Sequence, residues 1–268
     1  MTARSYAGKV VLVTGGTKGI GLATAQAFAA EGAQTVLTHA WGSADEAEVT
    51  AAIVAAGGPP PFIAQADVTR PGDTDAVLTE VAARFGAVHA FISNASVALV
   101  VNGMDDYSER GFMKSLKGSA WPTFAYLTAM RRLLGAYPRY CVVMSSDGPD
   151  RFTPGYDFVA AGKAAMEAMV KYTAYRLRHE GVRINVLRSR AIRTASFEGT
   201  FGNEFHGFLR SFVDEEWFMT PEEVGKAALA LCTGPFDGMT GQTIMADRGN
   251  TFFDGISYLY ERREALGL

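Results

Sequence analysis

The sequence predicts an α/β fold: a doubly wound, mostly parallel sheet of about seven strands with helices on both faces. Short runs of Val, Ile and Leu without polar alternation are typical of strands covered on both sides. These runs alternate regularly with stretches of helical period, which is typical of strand–helix–strand units. The chain has 268 residues and is 48% apolar, enough for one large core, and no linker or repeat divides it. Residues 1–268 are therefore predicted to form a single domain.

Each predicted element rests on its own local pattern. The strands are β-branched or aromatic apolar runs and the helices are amphipathic stretches, with glycine- and proline-rich turns between them. The predicted strands are Val10–Val13, Thr35–Thr38, Phe62–Ala66, Ala90–Ser93, Tyr140–Met144, Arg183–Leu187 and Gln242–Met245. The predicted helices are Ile20–Glu31, Ala44–Ala56, Thr74–Phe85, Ser108–Arg132, Phe158–Glu180 and Pro221–Leu231.

Composition and charge argue against several functional classes. The net charge of -3 and the lack of a basic block predict no nucleic-acid partner. No apolar run reaches ~18 residues, and the first residues lead directly into a strand, so neither a membrane span nor a signal peptide is predicted. Cys141 and Cys232 are expected to be buried free thiols of a cytoplasmic protein. The four histidines lack metal-ligand spacing, so no metal site is predicted.

A glycine-rich turn follows the first predicted strand and opens the first predicted helix. Its sequence is Thr14-Gly15-Gly16-Thr17-Lys18-Gly19-Ile20-Gly21. Glycines let the backbone turn sharply and approach a pyrophosphate at the positive end of a helix. The alternative is an ordinary strand-to-helix loop, but this position favours a dinucleotide site and a Rossmann-type fold.

The most informative spacing joins Tyr156 and Lys163. Side chains four and seven residues before a helical lysine share its face, because 3.6 residues make one turn. Position minus four is Val159, which cannot transfer a proton, whereas Tyr156 can. A phenol beside a buried ammonium, downstream of a phosphate-binding turn, predicts a nucleotide-dependent reductase. The alternatives are a surface-loop tyrosine and a solvated lysine.

Several motifs in a fixed order resemble the short-chain dehydrogenase/reductase family from about residue 7 to residue 250. They are the glycine turn, Asp67-Val68, Ser93-Asn94-Ala95-Ser96, Ser145-Ser146, Lys163, Val182–Val186, Ile192 with Thr194, and Gly241-Gln242-Thr243. The resemblance implies that Asp67 and Val68 contact the adenine, that Asn94 lies near the adenosine ribose, and that Ile192 and Thr194 hold the nicotinamide. The cofactor-binding set implied in this way is Gly15, Thr17, Lys18, Gly19, Ile20, Gly21, His39, Asp67, Val68, Asn94, Ala95, Ser96, Lys163, Ile192 and Thr194.

Two positions depart from the pattern of most family members. Val159 stands where their tyrosine would be, and Ser115 stands where a central-helix asparagine supports a proton-relay water. The Tyr156-x6-Lys163 spacing is instead similar to the enoyl-acyl-carrier-protein reductase branch, in its form with the compact cofactor turn. Seven residues span ~10.5 Å of helix against ~6 Å for four, so the phenol can meet an oxygen further from the reduced carbon. Ser145 and Ser146 are further catalytic candidates, although either could instead cap a turn.

Charge at the end of the second strand predicts the nucleotide. An acidic residue there would bind a ribose 2′-hydroxyl and repel a 2′-phosphate. The strand ends Leu37-Thr38-His39-Ala40-Trp41, without a carboxylate, and Lys18 offers a cation. NADPH is therefore predicted over NADH, with a merely solvated Lys18 as the alternative.

Aromatic side chains dominate the region expected to cover the substrate, about residues 195–218. The stripe Phe197, Phe201, Phe205, Phe208 and Phe212 has helical spacing and predicts a hydrophobic substrate, or else simple packing against the core. Arg190 could narrow the pocket, bind an acidic group or form a salt bridge. The aromatic tail, about residues 251–268, is expected to seal an interface in a homodimer or homotetramer.

Three hypotheses follow. In the leading one, an NADPH-dependent reductase acts on a conjugated enoyl thioester or a related unsaturated polyketide, possibly delivered by a carrier protein. Tyr156 would stabilise the enolate oxygen, and Lys163 would hold the cofactor ribose. The second is a ketoreductase of a hydrophobic or polycyclic ketone. The third is a nucleotide-binding partner protein whose catalytic set has decayed.

Overall fold

A computed structural model describes residues 5–40, 45–190, 192–212, 215–252 and 254–267. The side chains at positions 196, 201, 203, 206, 210, 212 and 215 fall outside the description. The strands are β1 (Val10–Thr14), β2 (Gln34–His39), β3 (Phe62–Gln65), β4 (Ala90–Ser93), β5 (Tyr140–Ser146), β6 (Arg183–Ser189) and β7 (Thr243–Ala246). They form one parallel sheet in the order β3-β2-β1-β4-β5-β6-β7. The predicted fold class is confirmed.

Helices cover both faces of this sheet. They are α1 (Gly19–Ala30), α2 (Glu46–Ala55), α3 (Pro71–Phe85), α4 (Glu109–Ser115), α5 (Trp121–Leu134), α6 (Asp157–Arg176), α7 (Ala195–Phe201), α8 (Asn203–Phe212), α9 (Pro221–Ala230) and α10 (Gly255–Glu261). Helices α3, α5 and α6 pack on one face and α1, α2 and α9 on the other, each around its own apolar cluster. Among the described residues no helix has the length and apolar content needed to span a bilayer.

Successive side chains of β5 alternate between these two clusters. Cys141 and Val143 pack towards α3, α5 and α6, whereas Val142 and Met144 pack towards α1 and α9. The alternation follows from the two-residue period of a strand. It fixes which way each of the two serines that end the strand can point.

The predicted helix Ser108–Arg132 is not continuous. It consists of α4, a π-helical turn at Leu116–Ala120, and α5. Pro122 has no N–H to donate to the preceding turn, which favours a break immediately before it. Gly118 lies in the π turn so close to Val97 that a Cβ there would fall 2.4 Å from the valine Cγ2. The break therefore lets this chain segment approach the strand ends.

The two helices α7 and α8 lie where the substrate cover was predicted. The tail contains α10, and its apolar side chains are largely exposed: Phe252 is 91% exposed and Ile256 79%. Both cysteines are buried and unpaired, as predicted.

Candidate active site

A cleft of about 480 Å³ opens where the carboxyl ends of β1, β4, β5 and β6 meet the α7–α8 pair. This is the edge at which open parallel sheets bind ligands. The cleft brings together most of the predicted site residues: Gly15, Thr17, Lys18, Gly19, Ile20, Gly21, His39, Asn94, Ala95, Ser96, Ser145, Ser146, Tyr156, Lys163, Arg190, Ile192, Thr194, Phe197 and Phe205. Sequence reasoning missed other members of the lining: Ala98, Met144, Asp147, Thr153, Ser189, Thr200 and Leu209.

The glycine turn has the shape required of a phosphate cradle. Gly15 adopts a φ of +62°, in the left-handed region that favours glycine. A Cβ on Gly21 would lie 2.1 Å from the Gly15 carbonyl oxygen, so no larger residue fits there. The turn leads directly into the N-terminus of α1, and this part of the chain therefore fits a dinucleotide pyrophosphate.

Asn94 serves the turn in a way that the sequence did not reveal. Its Nδ2 donates to the carbonyl oxygens of Thr14 (3.0 Å) and Gly15 (3.1 Å). The Thr14 hydroxyl in turn accepts from the backbone N–H groups of Asn94 (3.0 Å) and Ala95 (3.1 Å). The Asn94 side chain thus ties β4 to the glycine turn and holds the cradle in shape.

At the adenosine end, the structure adds a carboxylate. His39 lines the cleft, and its Nε2 lies 3.5 Å from Oε1 of Glu46 on α2 without forming a hydrogen bond to it. The prediction considered only the end of β2 and therefore overlooked Glu46; Trp41 lies outside the described residues. Asp67 and Val68 lie beyond the described lining of the cleft. The Asp67 carboxylate accepts from Thr69, so its contact with adenine stays a prediction.

Tyr156, Val159 and Lys163 all line the cleft, as the helical spacing predicted. Tyr156 immediately precedes α6, while Val159 and Lys163 lie within it and are 2% and 6% exposed. Burial raises the pKa of Tyr156, a hydrogen bond with Ser146 lowers it, and the nearby Asp147 carboxylate raises it further. Tyr156 is consequently a neutral phenol near neutral pH and can donate a hydrogen bond.

Lys163 is held beneath the tyrosine by the backbone of β5. Its Nζ donates to the carbonyl oxygen of Met144 at 2.7 Å. Burial lowers the pKa of Lys163 to about 8, although the negative charge of Glu167, one helical turn further on, opposes this shift. The ammonium form therefore predominates at neutral pH and places a positive charge at the site.

The two serines at the end of β5 have different partners. Ser145 donates to Oε1 of Glu167 at 2.6 Å, inside the protein, whereas the Ser146 hydroxyl accepts from the Gly148 backbone N–H at 3.4 Å and lies close enough to Tyr156 to lower the pKa of its phenol. Arg188 binds Glu167 with two hydrogen bonds, Nε to Oε1 at 2.8 Å and Nη2 to Oε2 at 2.6 Å. Of the two predicted catalytic serines, Ser146 is the one whose hydroxyl faces the reacting group. Ser145 belongs to a buried ionic cluster that sequence reasoning missed.

Ser115, which stands where most family members have an asparagine, has a structural role here. It is fully buried, and its hydroxyl donates to the Phe158 carbonyl oxygen at 2.6 Å. This bond joins the helix before the π turn to the first turn of α6. Ser115 thus supports the segment that carries Val159 and Lys163.

The α7–α8 pair supplies an apolar wall. Phe197 and Phe205 line the cleft, with ring centroids 6.0 Å apart, and Leu209 continues the wall. Phe208 belongs to the predicted stripe but is 60% exposed. The stripe is therefore not uniformly buried, since Phe205 and Phe208 lie on the same helix and only Phe205 lines the cleft. The Phe201 and Phe212 side chains lie outside the description.

Comparison with known proteins agrees with this geometry. A family model described as Enoyl-(Acyl carrier protein) reductase matches residues 15–251. The chain is 30% identical to 1-cyclohexenylcarbonyl-CoA reductase of Streptomyces collinus, covering 90% of this chain and 86% of that protein. It is 29% identical to galactitol 2-dehydrogenase of Agrobacterium fabrum, covering 90% of this chain and 97% of that protein.

A solved structure shows the same fold. The 3-oxoacyl-acyl-carrier-protein reductase of Brucella melitensis, in complex with NAD, superposes with a TM-score of 0.81 at 25% identity, over 92% of this chain and 98% of that one. The family model covers most of the chain, and the glycine turn, the strand order and the shared face of Tyr156 and Lys163 agree with it. This chain therefore belongs to the short-chain dehydrogenase/reductase superfamily, as an oxidoreductase of the enoyl-acyl-carrier-protein reductase-like family.

Proposed function

We propose that the protein uses NADPH to reduce a conjugated enoyl thioester or a related unsaturated polyketide. The observation that carries this proposal is the arrangement on α6. The position four residues before Lys163 holds an apolar, buried Val159, and the phenol that reaches the cleft is that of Tyr156. Tyr156 is thus the proton-bearing side chain placed to meet the substrate oxygen.

Tyr156 acts by hydrogen bonding to the carbonyl oxygen of the thioester. In a conjugated enoyl thioester, reduction at the β-carbon pushes negative charge onto that oxygen, two carbons further along. A neutral phenol held by Ser146 can donate to the oxygen throughout, and the bond strengthens as charge develops. The Lys163 ammonium adds a positive field at the same end of the cleft. Both contributions favour the enolate-like transition state over the substrate. A proton taken up from solvent at the α-carbon then completes the reduction.

The cofactor would be held by the glycine turn, with its phosphates at the N-terminus of α1 and its nicotinamide near Ile192 and Thr194. When bound, it supplies the hydride. Lys163 lies in the same cleft and can bind the nicotinamide ribose, and the α7–α8 wall limits the access of water to the reacting carbon. An apolar wall of this kind suits an acyl chain or a ring system.

One assay series tests the reaction. Purified protein is mixed with NADPH and either crotonyl-CoA or an aromatic ketone, and the loss of NADPH absorbance is followed. We expect turnover of the thioester, and we expect Tyr156→Phe to lower kcat/KM by about 10²–10³-fold, because the hydrogen bond to the developing enolate oxygen is removed. Tyr172→Phe, an exposed tyrosine on the outer side of α6, is the matched control and should change nothing.

The alternatives are separate outcomes of the same series. Turnover of the ketone alone would favour a ketoreductase in which the Ser146–Tyr156 pair protonates the carbonyl oxygen. Binding of NADPH without turnover across a broad panel of alkenes and ketones would favour a protein that has lost catalysis.

The choice of nucleotide needs its own experiment, since the cleft contains the cation of Lys18, while the carboxylate of Glu46 lies beside His39. We expect NADPH to bind more tightly than NADH. Lys18→Met should reduce that preference about tenfold, because a charge-assisted contact to the 2′-phosphate is lost, and Glu46→Gln should increase it. Fluorescence titration of both nucleotides measures this, and tighter binding of NADH to the unaltered protein would overturn the assignment.

We also propose that the protein assembles as a homodimer or homotetramer through its C-terminal tail. Phe252, Ile256 and Tyr260 are exposed apolar side chains in and before α10, which makes this segment suitable for a subunit contact. Light scattering of the full chain and of the Ile256→Asp variant tests this. A monomer at micromolar concentration would contradict it.

A further inference from the structure

Two oppositely charged residues of the cleft have no role in the reaction proposed above. Asp147 directly follows Ser146 at the end of β5, and Arg190 directly follows β6. The Nε of Arg190 lies 3.1 Å from Oδ2 of Asp147, and the two side chains are 36% and 13% exposed. Both line the cleft. They therefore form an ion pair in the wall of the active site, not on the outer surface.

The pair keeps hydrogen-bonding capacity for a ligand. Arg190 uses Nε on Asp147 and Nη1 on the Asn250 carbonyl oxygen, at 3.2 Å. Within the described part of the chain, no contact engages its Nη2 group, and the second oxygen of Asp147 likewise keeps its lone pairs. One donor and one acceptor of this pair in the cleft wall thus remain available to a ligand.

The chemistry of the pair selects among ligand groups. A carboxylate would be attracted by Arg190 but repelled by Asp147, and an ammonium would meet the reverse. An unsubstituted alkyl chain would displace water from both charged groups without forming hydrogen bonds to them, and this desolvation would weaken binding. A hydroxyl both accepts and donates one hydrogen bond, so it can satisfy Arg190 and Asp147 together.

The position of the pair locates that hydroxyl. Asp147 directly follows Ser146 and lines the same cleft as Tyr156, and its charge raises the pKa of that phenol, so the pair lies near the reacting end of the cleft. The wall formed by α7 and α8 is apolar and contains Phe197, Phe205 and Leu209. A matching substrate has a hydrophobic body and one hydroxyl near its reducible double bond.

We propose that Asp147 and Arg190 together recognise a hydroxyl group that the substrate carries near its conjugated double bond. The proposal rests on the enoyl reduction proposed above and narrows its substrate class to hydroxylated unsaturated thioesters. Asp147 and Arg190 are then specificity-determining residues, separate from Tyr156 and Lys163, which act on the reduction itself.

The test compares two rates in one protein. NADPH oxidation is measured with hexenoyl-CoA unsaturated at the α,β position and with its γ-hydroxy and δ-hydroxy derivatives. We expect kcat/KM for at least one hydroxylated thioester to exceed that of the plain one about tenfold or more. In Asp147→Ala this ratio should fall towards one, and in Asp147→Asn, which keeps an acceptor of the same shape, it should take an intermediate value. Any general effect of Asp147 on Tyr156 changes both rates and leaves the ratio unaffected.

Asp150→Asn is the matched control, because Asp150 is a nearby carboxylate that pairs with Arg188 and lies outside the described lining of the cleft. It should leave the ratio unchanged. A ratio near one in the unaltered protein, or a high ratio that survives Asp147→Ala, would overturn the proposed recognition while leaving the reduction standing. Failure to reduce any of the three thioesters would instead overturn the proposed function, and the recognition with it.

Discussion

Two groups of polar residues at the end of β5 are close in sequence and differ in almost every physical respect. The first, here called the buried cluster, consists of Ser145, Glu167 and Arg188, and the exposed Asp150 carboxylate pairs with Arg188 at its edge. The second, here called the cleft group, consists of Ser146, Tyr156 and Lys163. The buried cluster satisfies its charges internally, whereas the cleft group directs a hydroxyl and an ammonium towards a ligand.

The difference arises from two periodicities. Ser145 and Ser146 are consecutive on a strand, so their side chains leave it in opposite directions, and only one reaches Tyr156. Lys163 and Glu167 are four apart on α6, so they share a face, but the glutamate lies one turn further along the helix and outside the described lining of the cleft. The two serines, although adjacent in the chain, therefore have different roles: Ser145 stabilises the interior, and Ser146 lies beside the phenol in the cleft.

The buried cluster should control stability, and removing its arginine tests this with the largest effect. Arg188→Met leaves Glu167 as an unpaired charge in the interior, which we expect to lower the free energy of unfolding by about 3–5 kcal/mol. Urea denaturation measures the loss. The double variant Arg188→Met/Glu167→Gln removes both charges and should recover more than half of it. A double variant as unstable as the sum of the two single changes would mean that the residues act independently.

Exchanging the two serines for alanine compares the two groups directly. Ser146→Ala removes a partner of the Tyr156 phenol and should lower kcat/KM for the enoyl thioester about a hundredfold, with little change in melting temperature. Ser145→Ala removes a hydrogen bond to a buried carboxylate and should lower stability by about 1–3 kcal/mol while activity is largely retained. Equal losses of activity in two stably folded variants would show that the distinction between the groups is false.

The smallest expected effect concerns the titration of Lys163. Its pKa in the folded protein is about 8, against 10.5 for an ordinary lysine. Between these values the unfolded chain binds a proton that the folded chain does not. The contribution of this group to the free energy of unfolding therefore rises with pH above about 8, by ~1 kcal/mol per pH unit, and is constant below it.

Urea denaturation at several pH values measures this slope as the difference between the unaltered protein and Lys163→Met. Lys171→Met, an exposed lysine on the same helix, is the control and should keep the slope of the unaltered protein. Identical slopes in all three proteins would contradict the assigned shift. In the reaction, the same titration predicts that kcat/KM falls as pH rises through about 8, because the ammonium form is lost.

Much of the fold follows from local patterns. All seven strands were predicted to within a few residues, because buried parallel strands appear as continuous apolar runs between turns. The shared face of Tyr156, Val159 and Lys163 followed from the helical period alone. The break before Pro122 was missed because the prediction followed apolar periodicity and did not weigh the proline, whose missing N–H favours a break.

The sequence by itself determined the seven apolar strands, the glycine turn and the face of α6 that carries the phenol and the lysine, because each follows from a pattern within one short segment. Only the tertiary structure decided which serine meets Tyr156, that Glu46 reaches His39, and that Arg188 is buried while Arg190 borders the cleft. Those outcomes depend on contacts between residues far apart in the chain, and no local period specifies the partner of a charged side chain.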